Sequence, residues 1–549
     1  MLKKTFLLPF IFIFLLSCDK KVEKESEKTP KLVVGIVIDQ MRYDYLTRYY
    51  NRYGNGGFKR LLNEGFSLEN AHFNYIPTYT AAGHASIYTG TTPDNHGIIG
   101  NWWYDKFSKK NTYCVDDDRY NSVGTDTNQG KKSPHRMFTT TVTDQLHLAQ
   151  NNRGKTIGIA IKDRSAILPA GHTANGAYWY DNGKNDKFIT SSFYMDDLPD
   201  WVKNFNKKNK AKDYLSKPWN TLYPIETYTN SLSDDNNFEG TFIGESSPTF
   251  PHNLPELMDK NGGFGLIKET PFGNTLTLDF TKAAILGENL GKSDDVDFLS
   301  VSFSSTDYVG HRYGVDAIET EDTYLRLDKD LEEFLNFLDK EVGKGNYTIF
   351  LTADHGVVRV PSYLKSLKMP ANYFNRNDFK VFLDSITNKH FNSKELVEAI
   401  SNYQIFLNKE KLDKLKLNRN EVAEKIADEV VNFKTIYKAV SAKTLQSGNF
   451  SSQILCDLQN GYNQKLSGDV MLIPSPYTLE SRETGTSHGS GYSYDTHIPI
   501  IFYGNGIKKG VSKKRYEIID IAPTIANFLK IEAPNSSTGI IIDEIFKDE

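Results

Sequence analysis

Three segments of this sequence carry carboxylate and imidazole side chains just after apolar runs that are typical of buried strands. Asp39, Asp307 and Asp354 follow three such runs, His311 lies four residues after Asp307, and His355 directly follows Asp354. The carboxyl ends of parallel strands meet at one edge of a sheet, and open α/β sheets place their chemistry there. A single Asp at such a position is often a helix cap or a solvated loop residue. Three of them with two nearby histidines favour a metal site.

A further segment, residues 77–90, predicts a loop that enters a short helix ended by Gly90. Thr80 would lie near the N-terminus of this helix, where free backbone N–H groups and the helix dipole favour anionic oxygen. A hydroxyl group at that position is either a helix cap or a nucleophile. The candidate metal ligands elsewhere in the chain favour the nucleophile.

The elements that must position these side chains are five near-continuous apolar runs, which suit a parallel sheet covered on both faces. The runs are residues 32–38, 156–161, 298–303, 347–352 and 498–503. Helical patterns lie between them, and the clearest has apolar residues at three- and four-residue steps from Tyr324 to Leu338. This alternation predicts an α/β sandwich with a mostly parallel central sheet.

Two stretches interrupt the alternation, residues 171–268 and residues 357–474. The first has weak periodicity, and the second contains a segment rich in Lys, Glu and Asn, residues 393–431, that predicts helix. We interpret both as insertions into a single catalytic domain, residues 31–549, because candidate ligands on either side of the second one belong to the same site. The insertions either cap the sheet edge and shape a pocket or decorate the surface.

The start of the chain predicts export. Two lysines and an apolar run have the form of a signal peptide over residues 1–18. Cys18 follows small and aliphatic residues, as in a bacterial lipobox, so it is either a lipidated new N-terminus that attaches the protein to a membrane or a chance Cys in a plain signal. Residues 19–30 are rich in Lys and Glu and predict a solvated tether. Both alternatives place the protein in the periplasm or at the outer membrane or cell surface of a bacterium.

Charge and composition exclude several classes of protein. The net charge of −4 and the lack of a Lys/Arg block argue against a nucleic-acid partner. We find no glycine-rich phosphate loop and no dinucleotide fingerprint, so nucleotide-cofactor chemistry is unsupported. Beyond Cys18 there are two cysteines, Cys114 and Cys456, which either form one disulfide or remain thiols. Two sulfurs are too few for a thiolate metal site, so metal ligands must come from His and carboxylate.

Taken together, these segments resemble the alkaline phosphatase superfamily. The matching stretches extend across nearly the whole mature chain and are residues 33–42, 77–90, 98–101, 161–165, 305–311, 353–356 and 520–524. The resemblance implies an alkaline-phosphatase-like three-layer sandwich with a mostly parallel central sheet and inserted cap segments.

The resemblance also implies two Zn²⁺ ions with separate sets of ligands. One ion would be held by Asp307, His311 and His488, and the other by Asp39, Asp354, His355 and the Thr80 oxygen. Neutral imidazole and carboxylate are ligands that suit Zn²⁺.

The implied activity is that of an alkaline phosphatase, a secreted phosphomonoesterase. Thr80 would attack a phosphomonoester, and hydrolysis of the resulting phosphothreonine would release inorganic phosphate. Asn101, Lys162 and Arg164 resemble the phosphoryl-oxygen ligands of the superfamily. We expect a monomer whose partners are small-molecule phosphomonoesters.

Two alternatives differ from this interpretation in testable ways. A nucleotide pyrophosphatase/phosphodiesterase of the same superfamily would use the same metals and a Thr nucleophile. Lys162 and Arg164 favour the monoesterase, because two cationic side chains stabilise a dianionic phosphoryl group more strongly than they stabilise a diester. A non-catalytic surface lipoprotein would lack ligands or the nucleophile, whereas here every implied position is filled.

Overall fold

The computed structural model describes residues 29–181, 185–480 and 483–547. The predicted signal peptide with Cys18, and residues 19–28 of the predicted tether, lie outside the described residues. No helix within the described ranges is both long enough and apolar enough to cross a membrane.

The strands of the described residues are numbered in chain order. They are β1 (Leu32–Ile38), β2 (Phe66–His72), β3 (Trp102–Asp105), β4 (Lys110–Tyr113), β5 (Ser122–Val123), β6 (Thr156–Ala160), β7 (Gly176–Tyr180), β8 (Phe188–Ser191), β9 (Asp297–Phe303), β10 (Tyr347–Thr352), β11 (Asn372–Phe374), β12 (Val397–Ser401), β13 (Gln404–Leu407), β14 (Ile436–Ser441), β15 (Val470–Pro474), β16 (Thr478–Glu480), β17 (His497–Gly504) and β18 (Gly510–Glu517).

The α-helices are numbered in the same way. They are α1 (Asp44–Arg48), α2 (Phe58–Glu64), α3 (Thr80–Thr89), α4 (Pro93–His96), α5 (Val142–Ala149), α6 (Asp163–Ala170), α7 (Asp200–Asn206), α8 (Lys210–Leu215), α9 (Leu254–Leu257), α10 (Phe272–Glu288), α11 (Ser305–Tyr313), α12 (Ile318–Leu338), α13 (Pro361–Ser366), α14 (Arg376–Phe391), α15 (Lys409–Leu415), α16 (Arg419–Val430), α17 (Ala442–Ser447), α18 (Gln453–Asn460), α19 (Ser493–Thr496) and α20 (Ile521–Leu529).

A ten-stranded sheet forms the centre of the molecule, in the order β18-β2-β17-β10-β1-β9-β6-β7-β8-β5. Its middle strands β10, β1, β9, β6 and β7 are parallel to one another. All five predicted strands belong to this sheet, which confirms the α/β fold. The fifth, β17, pairs antiparallel with both β10 and β2. An apolar run cannot reveal this direction, because β17 is buried on both faces like its parallel neighbours.

Helices cover both faces of the sheet, since consecutive residues of β1, β9 and β10 are all buried. One group of helices in mutual contact comprises α10, α11 and α12, and another comprises α3, α5, α6 and α20. The predicted apolar stripe from Tyr324 to Leu338 is confirmed as the buried face of α12. The result is the predicted sandwich of three layers.

The two stretches predicted as insertions differ in how they join the fold. Within residues 171–268, β7 and β8 extend the central sheet, and short helices and loops follow them. Within residues 357–474, a separate sheet of order β12-β13-β15-β14 forms next to α14 and α16. This sheet and these helices share a core of their own.

The prediction of a helical region over residues 393–431 was wrong in its first part. Residues 397–407 form the hairpin of β12 and β13, and Asn402 and Tyr403 turn it with φ values of 51° and 56°. Two consecutive residues with positive φ are typical of the tight turns that join antiparallel strands. The Lys- and Glu-rich composition concealed this turn. Cys114 and Cys456 remain free thiols, so the alternative without a disulfide is the one the structure has.

Candidate active site

The carboxyl ends of β1, β9 and β10 bring the three predicted aspartates together. β1 lies between β9 and β10 and is parallel to both, so Asp39 at its end comes between Asp307 and Asp354. All three carboxyl groups are buried. The predicted common edge is therefore present, and Asp307 reaches it from the first turn of α11.

Helix α3 delivers Thr80 to this edge. Thr80 is its first residue and Gly90, with φ of 66°, ends it, as the sequence predicted. The residue before Thr80 makes no side-chain cap hydrogen bond, and Thr80 Oγ1 lies 3.3 Å from His355 Nε2. The hydroxyl group is thus directed at the carboxylate and imidazole cluster. Gly83 permits this approach, because a Cβ there would lie 2.2 Å from the Asp354 carbonyl oxygen.

One group of possible metal ligands consists of Asp307, His311 and His488. Asp307 Oδ1 lies 3.1 Å from His311 Nε2 and 3.7 Å from His488 Nε2. The Nδ1 atoms of the two rings lie 2.8 Å from backbone carbonyl oxygens, those of Thr486 and Thr78 respectively. A carbonyl oxygen can only accept, so each ring donates from Nδ1 and turns Nε2, the atom that can bind a metal when it carries no proton, towards Asp307.

A second, adjoining group contains Asp39, Asp307 and His355. His355 Nε2 lies 3.6 Å from Asp39 Oδ1 and 3.5 Å from Asp354 Oδ2. The rings of His355 and His488 stack with their centroids 3.4 Å apart, so the two groups are continuous. All seven ligands implied by the resemblance therefore meet in one cluster, in which Asp307 borders both groups; five of them are buried, and His311 and His488 are partly exposed.

The chemistry of this cluster fits a bound cation. Asp39 Oδ1 and Asp354 Oδ2 are buried and accept no hydrogen bond within the described part of the chain. Burial raises the pKa of Asp39 to about 6, and burial together with the nearby Asp39 raises the pKa of Asp354 well above its ordinary value. Burial lowers the pKa of His355 and of His488, which keeps both rings neutral and able to donate a lone pair. Buried acceptors without donors are costly, and Zn²⁺ suits this set of oxygen and nitrogen atoms.

Lys162 extends from the end of β6 into the same cluster. Its Nζ donates to Asp39 Oδ2 at 2.7 Å and to Asp307 Oδ2 at 2.6 Å. Although burial opposes it, the two carboxylates raise the pKa of Lys162 above its ordinary value, so the amine stays charged. Lys162 is thus at the site, and in this structure its partners are carboxylates.

Arg164 and Asn101 lie at the side of the cluster near α3. Arg164 is held by Tyr113, whose hydroxyl oxygen accepts from Nη1 at 3.1 Å, while Nε of Arg164 is buried without a partner among the described residues. Asn101 Oδ1 accepts from the Ala81 N–H at 2.9 Å. This bond fixes Asn101 to the start of α3 and leaves the N–H groups of its amide available.

Sequence reasoning missed Gln40, which joins two of the aspartates. Its backbone N–H donates to Asp354 Oδ1 at 3.1 Å and its side-chain Nε2 donates to Asp307 Oδ1 at 2.6 Å. Gln40 adopts a φ of 65°, which is uncommon for a residue with a side chain. Its position directly after Asp39 was the only available signal.

A cavity of about 780 Å³ opens beside the cluster. Its lining includes Tyr308, His311 and Arg312 of α11, together with Lys268 and Glu269 where the first predicted insertion ends. The cavity offers room for a substrate next to the first group of ligands.

Comparisons with known proteins agree with this geometry. The model of the type I phosphodiesterase / nucleotide pyrophosphatase family matches residues 33–492. A protein of Myroides odoratus named calcium-transporting ATPase is 48% identical over 97% of each chain. Alkaline phosphatase PhoV of Synechococcus elongatus is 47% identical over 94% of this chain and 93% of its own. Alkaline phosphatase PafA of Elizabethkingia meningoseptica is 45% identical over 94% of each.

Solved structures extend the likeness to the fold. The crystal structure of wild-type PafA gives a TM-score of 0.91 at 45% identity, covering 94% of this chain and 99% of that one. A PafA variant in which a threonine, an asparagine, a lysine and an arginine are replaced gives a TM-score of 0.90 at 44% identity.

Proposed function

The chain belongs to the type I phosphodiesterase / nucleotide pyrophosphatase family and, within it, to the alkaline phosphatases, and from this premise we propose a two-zinc phosphomonoesterase that acts through a phosphothreonine on Thr80. The observation that carries the proposal is the position of the Thr80 hydroxyl. It lies 3.3 Å from His355 Nε2, at the start of α3, inside a cluster with two carboxylate oxygens that have no hydrogen-bond partner among the described residues. We do not extend the transporter name of the Myroides relative to this chain, because two other relatives of similar identity are named alkaline phosphatases.

We assign the implied metal to the ligands that the cluster brings together. Asp307, His311 and His488 would hold one Zn²⁺, and Asp39, Asp354, His355 and the Thr80 oxygen would hold the other. When bound, the ions supply positive charge that lowers the pKa of the Thr80 hydroxyl and neutralises a transferring phosphoryl group.

The remaining steps belong to residues of the chain itself. Thr80 Oγ1 attacks phosphorus, the bond from phosphorus to the substrate alcohol oxygen breaks, and the alcohol leaves with a proton. Water then attacks the phosphothreonine, which releases inorganic phosphate and returns a proton to Thr80. The start of α3 favours this chemistry, because backbone N–H groups and the helix dipole stabilise anionic oxygen there.

Asn101, Lys162 and Arg164 are proposed to hold the phosphoryl oxygens. Arg164 offers a planar fork of donors, Lys162 a point charge, and Asn101 an amide donor without charge. They are the residue types that, with a threonine, are replaced in the solved PafA variant. Two cations beside the reacting group favour a dianionic monoester over a monoanionic diester.

We also propose that the enzyme is exported and works as a monomer. The support for export is the pattern of residues 1–18, with Cys18 as the candidate lipidated residue. The relatives that carry phosphatase names come from bacteria.

Substrate preference separates the monoesterase from the phosphodiesterase after which the family is described. We expect kcat/KM for 4-nitrophenyl phosphate to exceed that for bis(4-nitrophenyl) phosphate by at least about a hundredfold, equivalent to about 2.7 kcal/mol. Lys162→Met and Arg164→Met should lower the monoester value more than the diester value. A diester preference of the wild-type enzyme would assign the protein to the phosphodiesterases.

The role of Thr80 is tested by Thr80→Ala, with Thr89→Ala as the matched control. Thr89 lies in the same buried helix, and its hydroxyl donates to the Ala85 carbonyl oxygen at 2.8 Å, away from the cluster. We expect Thr80→Ala to retain most of its zinc, measured by elemental analysis, and to lose at least about a thousandfold in kcat, about 4 kcal/mol. Thr89→Ala should keep wild-type turnover per folded molecule. Unchanged turnover of Thr80→Ala would exclude Thr80 as the nucleophile.

A further inference from the structure

The cavity beside the cluster is lined by a positively charged side chain, that of Lys268, which has no role in the proposed reaction. Lys268 belongs to the 3-10 helix Gly263–Glu269 at the end of the first predicted insertion, and it lines the cavity together with residues of α11. Its ammonium lies over the ring of Tyr308, 5.1 Å from the ring centroid. Within the described ranges the side chain of Lys268 donates no hydrogen bond and forms no ion pair.

The nearest acidic side chain has another partner. Glu269 adjoins Lys268 in the chain, but its carboxylate accepts from Arg312 Nε at 2.8 Å and also from Arg312 Nη2. Arg312 is thereby neutralised, whereas Lys268 is not. Burial lowers the pKa of Lys268; the charge of Glu269 partly opposes this shift, and the charges of Lys162 and Arg312 add to it. A half-buried amine in this setting is stabilised by any anion that enters the cavity.

Acidic residues elsewhere on the cavity wall do not satisfy Lys268. Glu480 is paired with Arg376, with 2.7 Å between its carboxylate and Nε. Glu483 is exposed to solvent, which screens its charge. Lys268 is therefore the cation of this wall that is open to an anionic ligand.

The distance between Lys268 and Lys162 sets an upper limit on the size of such a ligand. Lys162 Nζ lies 5.0 Å from the centroid of the same Tyr308 ring, so the two ammonium nitrogens are at most about 10 Å apart. His311 lines the same cavity, which places Lys268 on the side of the first group of metal ligands. A small organic alcohol spans this distance.

We propose that Lys268 binds a second anionic group, a carboxylate or phosphate, on the alcohol portion of the phosphomonoester substrate. The proposal rests on the phosphomonoesterase function given above and adds a substrate class to it: small phosphomonoesters that carry another acidic group. Lys268 determines specificity and takes no part in the transfer of the phosphoryl group. The first predicted insertion thus contributes to substrate choice.

The test compares substrates that differ in one charge. 3- and 4-carboxyphenyl phosphate carry an anion at two distances from phosphorus, and the corresponding carbamoylphenyl phosphates are neutral in that position and similar in shape. Wild type, Lys268→Met and Lys268→Arg are assayed for kcat/KM on each substrate at low and high salt. Lys260→Met is the matched control, because Lys260 is an exposed lysine of the same inserted segment.

The expected result is a change in the ratio of kcat/KM for a carboxyphenyl phosphate to kcat/KM for the corresponding carbamoylphenyl phosphate. For the carboxyl isomer that wild type hydrolyses better, Lys268→Met should lower this ratio about tenfold, which corresponds to about 1.4 kcal/mol. Lys268→Arg should restore the preference, Lys260→Met should leave it unchanged, and added salt should weaken it in wild type. Turnover of the carbamoyl substrates should stay within about twofold in all variants.

Two outcomes would overturn the proposal for Lys268, and a third would refute the phosphomonoesterase activity on which it rests. A ratio that Lys268→Met leaves unchanged removes the anion subsite while the phosphatase remains. An equal fall for charged and neutral substrates assigns Lys268 to folding or to the phosphoryl group instead. Failure of wild type to hydrolyse any of these monoesters refutes the proposed function, and the subsite with it.

Discussion

Replacing Gly83 with alanine is expected to separate Thr80, the proposed nucleophile, from the cluster of carboxylates and imidazoles. A Cβ on Gly83 would lie 2.2 Å from the carbonyl oxygen of Asp354, whereas nine in ten real Cβ contacts are longer than 3.4 Å. The obstacle is backbone at the end of β10, which cannot rotate away as a side chain does. Helix α3 and the strand end must therefore move apart by about 1 Å, and Thr80, one turn earlier in α3, moves with the helix.

The consequence for activity follows from the size of this displacement. A misplacement of about 1 Å between reacting groups lowers a rate by about a hundredfold, or about 2.7 kcal/mol in the activation free energy. Overpacking is also expected to lower the free energy of unfolding by about 1 to 3 kcal/mol. Intrinsic helix preference acts in the opposite direction, because alanine favours helix over glycine by about 1 kcal/mol.

The assay measures kcat/KM on 4-nitrophenyl phosphate, zinc content and unfolding in urea. The control is Ala85→Gly, a buried position of the same helix where the exchange weakens helix preference but introduces no overlap. We expect Gly83→Ala to lose about a hundredfold in kcat/KM and Ala85→Gly to retain its activity per folded molecule. Activity of Gly83→Ala within about threefold of wild type, with normal zinc content, would refute the argument that α3 is held at its closest approach.

Two further predictions concern metal and pH. Chelation should abolish turnover and lower Tm, because the buried oxygens of Asp39 and Asp354 lose the cation that compensates them. Added Zn²⁺ should restore both turnover and Tm. A chelated protein with unchanged turnover and Tm would contradict the metal assignment. Burial raises the pKa of Asp330 from its ordinary 3.8 to about 7. The folded state therefore retains a proton that the unfolded state releases, and this contribution to stability is lost as pH rises from about 4 through 7. The free energy of unfolding of wild type, measured in urea relative to that of Asp330→Asn, should be roughly 3 kcal/mol lower at pH 8 than at pH 5. Parallel pH profiles of the two proteins would exclude Asp330 as the titrating group.

The local elements and the types of the site residues could be predicted from the sequence. β1 and β10 begin and end where their apolar runs do, and α3 begins at Thr80 and ends at Gly90. Such features depend on neighbours within a few residues, so the pattern of apolar residues and the glycine suffice. The three aspartates follow from this, because a strand that ends in a carboxylate delivers it to the sheet edge.

Contacts between distant segments were decided by tertiary structure alone. Gln40 donates to Asp307 across 267 positions of the chain, and Lys162 reaches Asp39 across 123. The antiparallel direction of β17 and the isolation of Lys268 in the cavity also depend on which segments become neighbours. A local sequence pattern predicts that a strand or a charged side chain is present. Strand order and packing determine which atoms it meets, because those contacts form only when remote parts of the chain are buried together.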